Sequence, residues 1–177
     1  VAWREGLSRF FLELGKKVEA ETVWKTILKD SQDATTILLA AQSAGGLGLD
    51  TLSIELAEKS IALGNDPVRA AFPALLHVFQ LHRTRGRGND AAAALERLNK
   101  LAPDDAPERM QLAEAYEQLG LQTKSVEVLA SLRMARGATD ASEDLDMRLA
   151  WLLSEVGREE EALTLWTELW RRVESVG

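Results

Sequence analysis

Apolar residues recur along this chain at helical spacing in short runs, and a glycine cuts each run before another of the same kind begins. In the first stretch Leu7, Phe10, Phe11 and Leu14 share a helical face, Gly15 interrupts, and Val18, Val23, Trp24, Ile27 and Leu28 resume the pattern. This predicts two antiparallel helices joined by a tight reversal. Glycine suits the junction because it enters the left-handed region without steric cost. The same grammar returns at Gly48, followed by Ser53, Ala57 and Ile61, and at Gly86, followed by Ala91, Leu95, Leu98 and Pro103. It returns again at Gly120, between Leu112, Ala113, Tyr116, Leu119 and Ser125, Leu129, Leu132, and at Gly157, between Leu149, Ala150, Leu153, Val156 and Ala162, Trp166, Leu169.

These glycines are spaced by 33, 38, 34 and 37 residues, and a small residue stands five positions after each. A period in this range predicts stacked helical pairs, in five units of approximately 1–33, 34–71, 72–105, 106–142 and 143–177. Asp66 ahead of Pro67, and Asp104 and Asp105 ahead of Pro107, place acceptors and an imino residue at helix starts. The two longer intervals predict lengthened first helices or longer loops near 67–72 and 137–143, the expected flexible joints.

The quoted residues resemble the tetratricopeptide repeat family: a small residue beside a leucine, an aromatic one turn on, a Leu-Gly turn and alanines on the second helix. The resemblance covers nearly the whole chain. It implies an all-α, right-handed α-solenoid of about five antiparallel helix pairs. The proline that often closes a unit of that family stands at Pro103 and is missing from the first, fourth and fifth copies.

With 177 residues and 46% hydrophobic content the chain can fold as one domain that buries roughly 70% of its unfolded surface. A net charge of −7 argues against a nucleic-acid or anionic-membrane surface, which needs a clustered positive field. The absence of cysteine removes disulfides, thiolate metal sites and cysteine nucleophiles, and leaves the compartment open. No apolar run reaches the ~20 residues that cross a bilayer. Val1 is no start methionine, so the chain reads as a piece of a longer repeat protein.

No catalytic motif emerges, and the chain is expected to be no enzyme and to hold no cofactor or metal. His77 and His82 are five apart, whereas metal pairs on a helix favour three or four. Glu114 and Glu117 are one turn apart and read as a solvated face rather than an acid/base pair. Neither a G-x-S-x-G turn nor a phosphate-binding glycine loop is present. The one dense basic stretch, Arg83, Arg85 and Arg87 at the third turn, reads either as a fork for an acidic peptide or phosphate or as cations at a helix C-terminus.

In the family that the chain resembles, the first helix of each pair lines a concave groove. The matching positions are Leu38 and Gln42, Leu76 and Gln80, Met110 and Glu114, and Met147 and Trp151. This apolar stripe suits a peptide or helix of a partner protein. The lysine, asparagine and arginine with which some members hold a C-terminal carboxylate are replaced by Glu5, Arg9, Leu39, Pro73 and His77, so binding of that kind is not expected. On the last helix Trp166, Leu169, Trp170 and Val173 exceed what one neighbouring helix covers, which predicts further repeats or self-association through that helix.

Three readings stay open. The first is a non-catalytic interaction scaffold; resemblance to bacterial arrays of like composition implies a secretion or exopolysaccharide export assembly, in cytoplasm or periplasm. The second is a structural spacer within a longer array. The third is an oligosaccharide groove built on Trp151, Glu114, Glu117 and Glu155.

Overall fold

The computed structural model describes residues 1–64, 66–102, 108–137 and 142–176, with backbone alone for residues 67, 173, 175 and 176. The described residues form ten helices: α1 Ala2–Glu13, α2 Lys17–Asp30, α3 Ala34–Gly46, α4 Asp50–Leu63, α5 Pro67–Thr84, α6 Gly88–Leu101, α7 Glu108–Gln118, α8 Gln122–Arg136, α9 Glu143–Glu155 and α10 Glu159–Val176. They group into two compact units, Val1–Leu101 and Ala102–Gly177. In the first, the pairs α1–α2, α3–α4 and α5–α6 pack internally, α2 packs on α3 and α4 on α5. In the second, α7–α8 and α9–α10 form the pairs and α8 packs on α9.

Every pair reverses on the expected glycine. Gly15, Gly48, Gly86, Gly120 and Gly157 have φ of 72°, 78°, 69°, 73° and 77°, a region that costs an L-residue roughly 1–2 kcal/mol. At Gly48 the Leu49 N–H donates to the Ala44 carbonyl at 3.0 Å and the Gly48 N–H to that of Gly45 at 3.0 Å. The same two bonds close the other four turns and satisfy carbonyls that a helix end leaves bare. Five residues beyond each turn, Ala20, Ser53, Ala91, Ser125 and Ala162 are buried, which lets the paired backbones approach.

Helix starts follow ordinary capping chemistry. The Asp66 carboxylate accepts from the N–H groups of Val68 at 3.0 Å and Arg69 at 3.1 Å, ahead of Pro67 in the first turn. Asp33 accepts from Thr36 N–H at 2.8 Å, and its bonds to the Thr36 side chain and backbone hold its carboxyl below the ordinary value. Ser142 caps α9. The expected caps Asp104 and Asp105 with Pro107, and the closing Pro103, lie outside the described residues.

The 38-residue interval is absorbed by a longer helix. The flexible joint expected at 67–72 is instead the first part of α5, which spans 18 residues and starts at Pro67 rather than at 72. It also runs through Pro73, whose missing N–H and bulky ring ordinarily end a helix. Around that exposed proline Ala71, Phe72, Ala74, Leu75, Val78 and Phe79 are all buried, so packing on both sides outweighs the lost bond. The second expected joint, 137–143, lies largely outside the described residues.

Candidate functional site

In the first unit, the α3 positions Leu38 and Gln42 are half-buried and exposed respectively, while Leu76 and Gln80 on α5 are both half-buried. Gln80 is occupied, since its carbonyl oxygen accepts from Arg83 Nε at 3.1 Å and from the same guanidinium again at 3.0 Å. The more open leucine on α3 is Leu39, at 49% exposure. The periodicity alone did not separate these neighbours, which differ by about 100° around the helix.

The basic turn is engaged within the fold. Arg85 Nε donates to both Asp50 carboxylate oxygens at 3.2 and 3.1 Å, and its outer nitrogen reaches the Gly45 carbonyl at 3.3 Å. Arg87 donates to the same carboxylate at 2.8 Å. With Arg83 held by Gln80, these guanidinium groups fasten the third turn to the start of α4. Nearby, Arg97 and Glu58 form a two-pronged pair at 2.5 and 2.9 Å, and the Arg97 bond holds the Glu58 carboxyl below its ordinary range.

The two histidines point to different surroundings. Ser53 Oγ donates to the Ala41 carbonyl at 2.7 Å and lies 2.8 Å from His77 Nε2, so it accepts from an Nε2-protonated ring. Gly45 makes room for this bridge: a Cβ there would stand 2.9 Å from Ser53 Oγ and 3.3 Å from His77 Cε1. His82 is 9% exposed, with Nδ1 3.7 Å from an Asp90 carboxylate oxygen. No group of three or more potential ligands occurs among the described residues.

Burial lowers the proton affinity of both rings from the ordinary 6.5; Ala41 partly offsets it for His77, while Arg87 adds to it and Asp90 and Asp50 oppose it for His82. The unfolded chain therefore binds these protons first as pH falls. Stability from the neutral rings is complete above about 6.5 and is lost as pH drops through the depressed folded values. Urea midpoints are expected to fall between pH 7 and pH 5, and a His77→Gln, His82→Gln variant is expected to show a flatter profile. An unchanged slope in the variant would refute this assignment.

In the second unit Met110 is half-buried and Glu114 exposed on α7, while on α9 Met147 and Trp151 are 38% and 63% exposed. The last two are one turn apart and share a face. Six residues before the turn glycine, the other pairs carry Arg9, Gln42, Gln80 and Glu114, so Trp151 alone puts an aromatic ring in that register. On α7 itself, one turn from Glu114, Glu117 accepts from Ser125 at 2.8 Å and from Arg148 Nε and an outer nitrogen at 3.1 and 2.9 Å. One of the carboxylates of the oligosaccharide reading is thus held within the fold, while Glu114 and Glu155 are exposed.

Sequence reasoning missed a buried charge cluster in this unit. Asp146 is fully buried; Arg133 Nε donates to its Oδ1 at 2.7 Å, and an Arg172 nitrogen lies 2.8 Å from Oδ2 outside hydrogen-bond geometry. Arg133 also donates to Glu168 at 2.5 Å. The signal was available: eleven residues before the turn glycine, Ile37 and Leu75 are core residues, and Arg4, Arg109 and Asp146 occupy the same register. Arg109, 7% exposed, answers this by donating to the Ala102 carbonyl at 2.7 Å.

No described helix is long and apolar enough to cross a membrane. No family model and no curated protein matches the chain by sequence. Solved structures match it by fold. A Podosopora anserina kinesin light chain with nearly identical TPR-like repeats is 17% identical with a TM-score of 0.54, covering 98% of this chain and 94% of that one. A structure of MamA is 17% identical with a TM-score of 0.54, covering 93% of each chain. MamA of Desulfovibrio magneticus RS-1 is 16% identical with a TM-score of 0.52, covering 98% of this chain and 95% of that one. At such identities the likeness concerns fold, and it agrees with the five glycine-closed pairs: the chain has the all-α solenoid fold of the tetratricopeptide repeat type.

Proposed function

We propose that the chain is a non-catalytic protein-interaction scaffold, and that the α9 face carrying Met147 and Trp151 receives an apolar peptide or helix of a partner. The observation that carries this reading is Trp151: a tryptophan 63% exposed in a register where the other pairs hold polar residues. Tryptophan supplies large contact area at small entropic cost, and methionine adapts to irregular shapes. Met110 and Glu114 on α7, and Leu38, Gln42, Leu76 and Gln80 in the first unit, are the corresponding positions, of which Gln80 already accepts from Arg83. Arg83, Arg85 and Arg87 have intramolecular partners, which favours a structural role for the basic turn over anion binding. A net charge of −7 favours a protein partner over nucleic acid. A bacterial secretion or exopolysaccharide export assembly as its setting rests on resemblance alone.

Crosslinking and affinity capture from native lysate test this, comparing the chain with a Met147→Glu, Trp151→Glu variant whose helicity is checked by circular dichroism. A partner captured by the chain and weakened at least about tenfold in the variant supports the reading. Equal capture by both forms removes the α9 face and favours the spacer.

A further inference from the structure

The pairs differ in burial at equivalent positions, and the differences fall on opposite faces of the first and last. Nine residues after the turn glycine, Trp24, Ala57, Leu95 and Leu129 are each 0% exposed, whereas Trp166 is 40% exposed. Four residues further, Leu28, Ile61, Asn99 and Arg133 are half-buried, whereas Trp170 is 66% exposed. Leu163, three residues before Trp166, is 68% exposed. The spacing of three and four puts these three side chains on one stripe of α10.

The first pair shows the converse. Eight residues before the turn glycine, Ala40, Val78, Leu112 and Leu149 are buried, whereas Leu7 is 38% exposed; five before it, Leu81, Ala115 and Leu152 are buried and Ser43 is half-buried, whereas Phe10 is 55% exposed. Eight after it, Leu56, Ala94, Val128 and Leu165 are buried, whereas Val23 is half-buried. Trp3, Leu7, Phe11 and Val23 line a shallow apolar cleft between α1 and α2. Where pairs do stack, the second helix of one meets the first helix of the next, as α4 meets α5 and α8 meets α9. By position the α10 stripe matches the donor half of such a contact, and the α1 face of Trp3, Leu7 and Phe10, which adjoins the cleft, matches the acceptor half; both are exposed.

We infer that a second copy of this chain covers them: the Leu163, Trp166 and Trp170 stripe of one molecule docks on the Trp3, Leu7 and Phe10 face of another, repeating the contact that joins pairs within a unit. Both surfaces are apolar and aromatic, which suits ring packing. Because the two halves differ, the contact is heterologous and propagates head to tail. It does not depend on the α9 face proposed to bind a partner.

Sedimentation equilibrium from micromolar to millimolar chain tests it with two variants at exposed positions, Phe10→Glu and Trp170→Glu, each checked for native helicity. The chain is expected to grow in weight-average mass with concentration, and each variant alone to associate at least about tenfold more weakly. The decisive sample is an equimolar mixture of the two variants. It is expected to form a dimer and nothing larger, because one intact α10 stripe then meets one intact α1 face. A chain that stays monomeric throughout overturns the inference. So does Phe10→Glu forming a homodimer by itself, which means that the α10 stripe pairs with its own kind.

Discussion

Replacing Arg133 with leucine is expected to lower the free energy of opening of the α8–α10 region by about 3 kcal/mol, the scale on which one partner of a buried pair is missed. Asp146 is 0% exposed, and the Arg133 bond at 2.7 Å is its hydrogen-bonded charge partner. Without it, a desolvated carboxylate keeps Arg172 near Oδ2 in poorer geometry, while Glu168 loses its bond as well. The penalty lies in the uncompensated charge rather than in lost attraction, so removing both partners should restore much of it. An Arg133→Leu, Asp146→Leu double variant is expected to recover at least half of the loss. Native-state hydrogen exchange in α8, α9 and α10 reads this region directly, without assuming that both compact units unfold together. A single variant within about 0.5 kcal/mol of the parent would mean that the cluster contributes little.

Trp24→Ala is expected to cost roughly 3–5 kcal/mol in the first unit, as large aromatic truncations in well-packed cores do. Trp24 is fully buried, and its indole nitrogen has no hydrogen-bond partner. The unpaired N–H is already a cost to the folded state. Trp24→Phe removes that donor and keeps most of the ring, so its expected cost is well below that of alanine. Exchange rates in α1 through α4 distinguish the two variants. If alanine costs less than about 1 kcal/mol, Trp24 is not the anchor of that unit.

The hairpins were legible in the sequence because each depends on one local event: a glycine at the end of an apolar helical run, with a small residue five positions later. Gly15, Gly48, Gly86, Gly120 and Gly157 all take the conformation that this reading required. What stayed hidden depends on distance. Asp50 meets Arg85 and Arg87 across 35 and 37 residues, which no local pattern encodes. Pro73 is the opposite case, a correct local rule overruled by burial of the residues around it. Trp151 was legible as an exposed aromatic because its register is polar elsewhere. Leu38 was harder to place because it sits beside Leu39 at the margin of the packed face.

Three polar ties cross one joint in the first unit: Ser53 to His77, Asp50 to Arg85 and Arg87, and Glu58 to Arg97. The hydrophobic driving force has no direction of its own, whereas hydrogen bonds resist rotation because they weaken steeply off axis. Torque applied to the third pair is therefore expected to reach the second through these ties, so that the helices α3 to α6 turn together more readily than pairs joined by apolar contact alone.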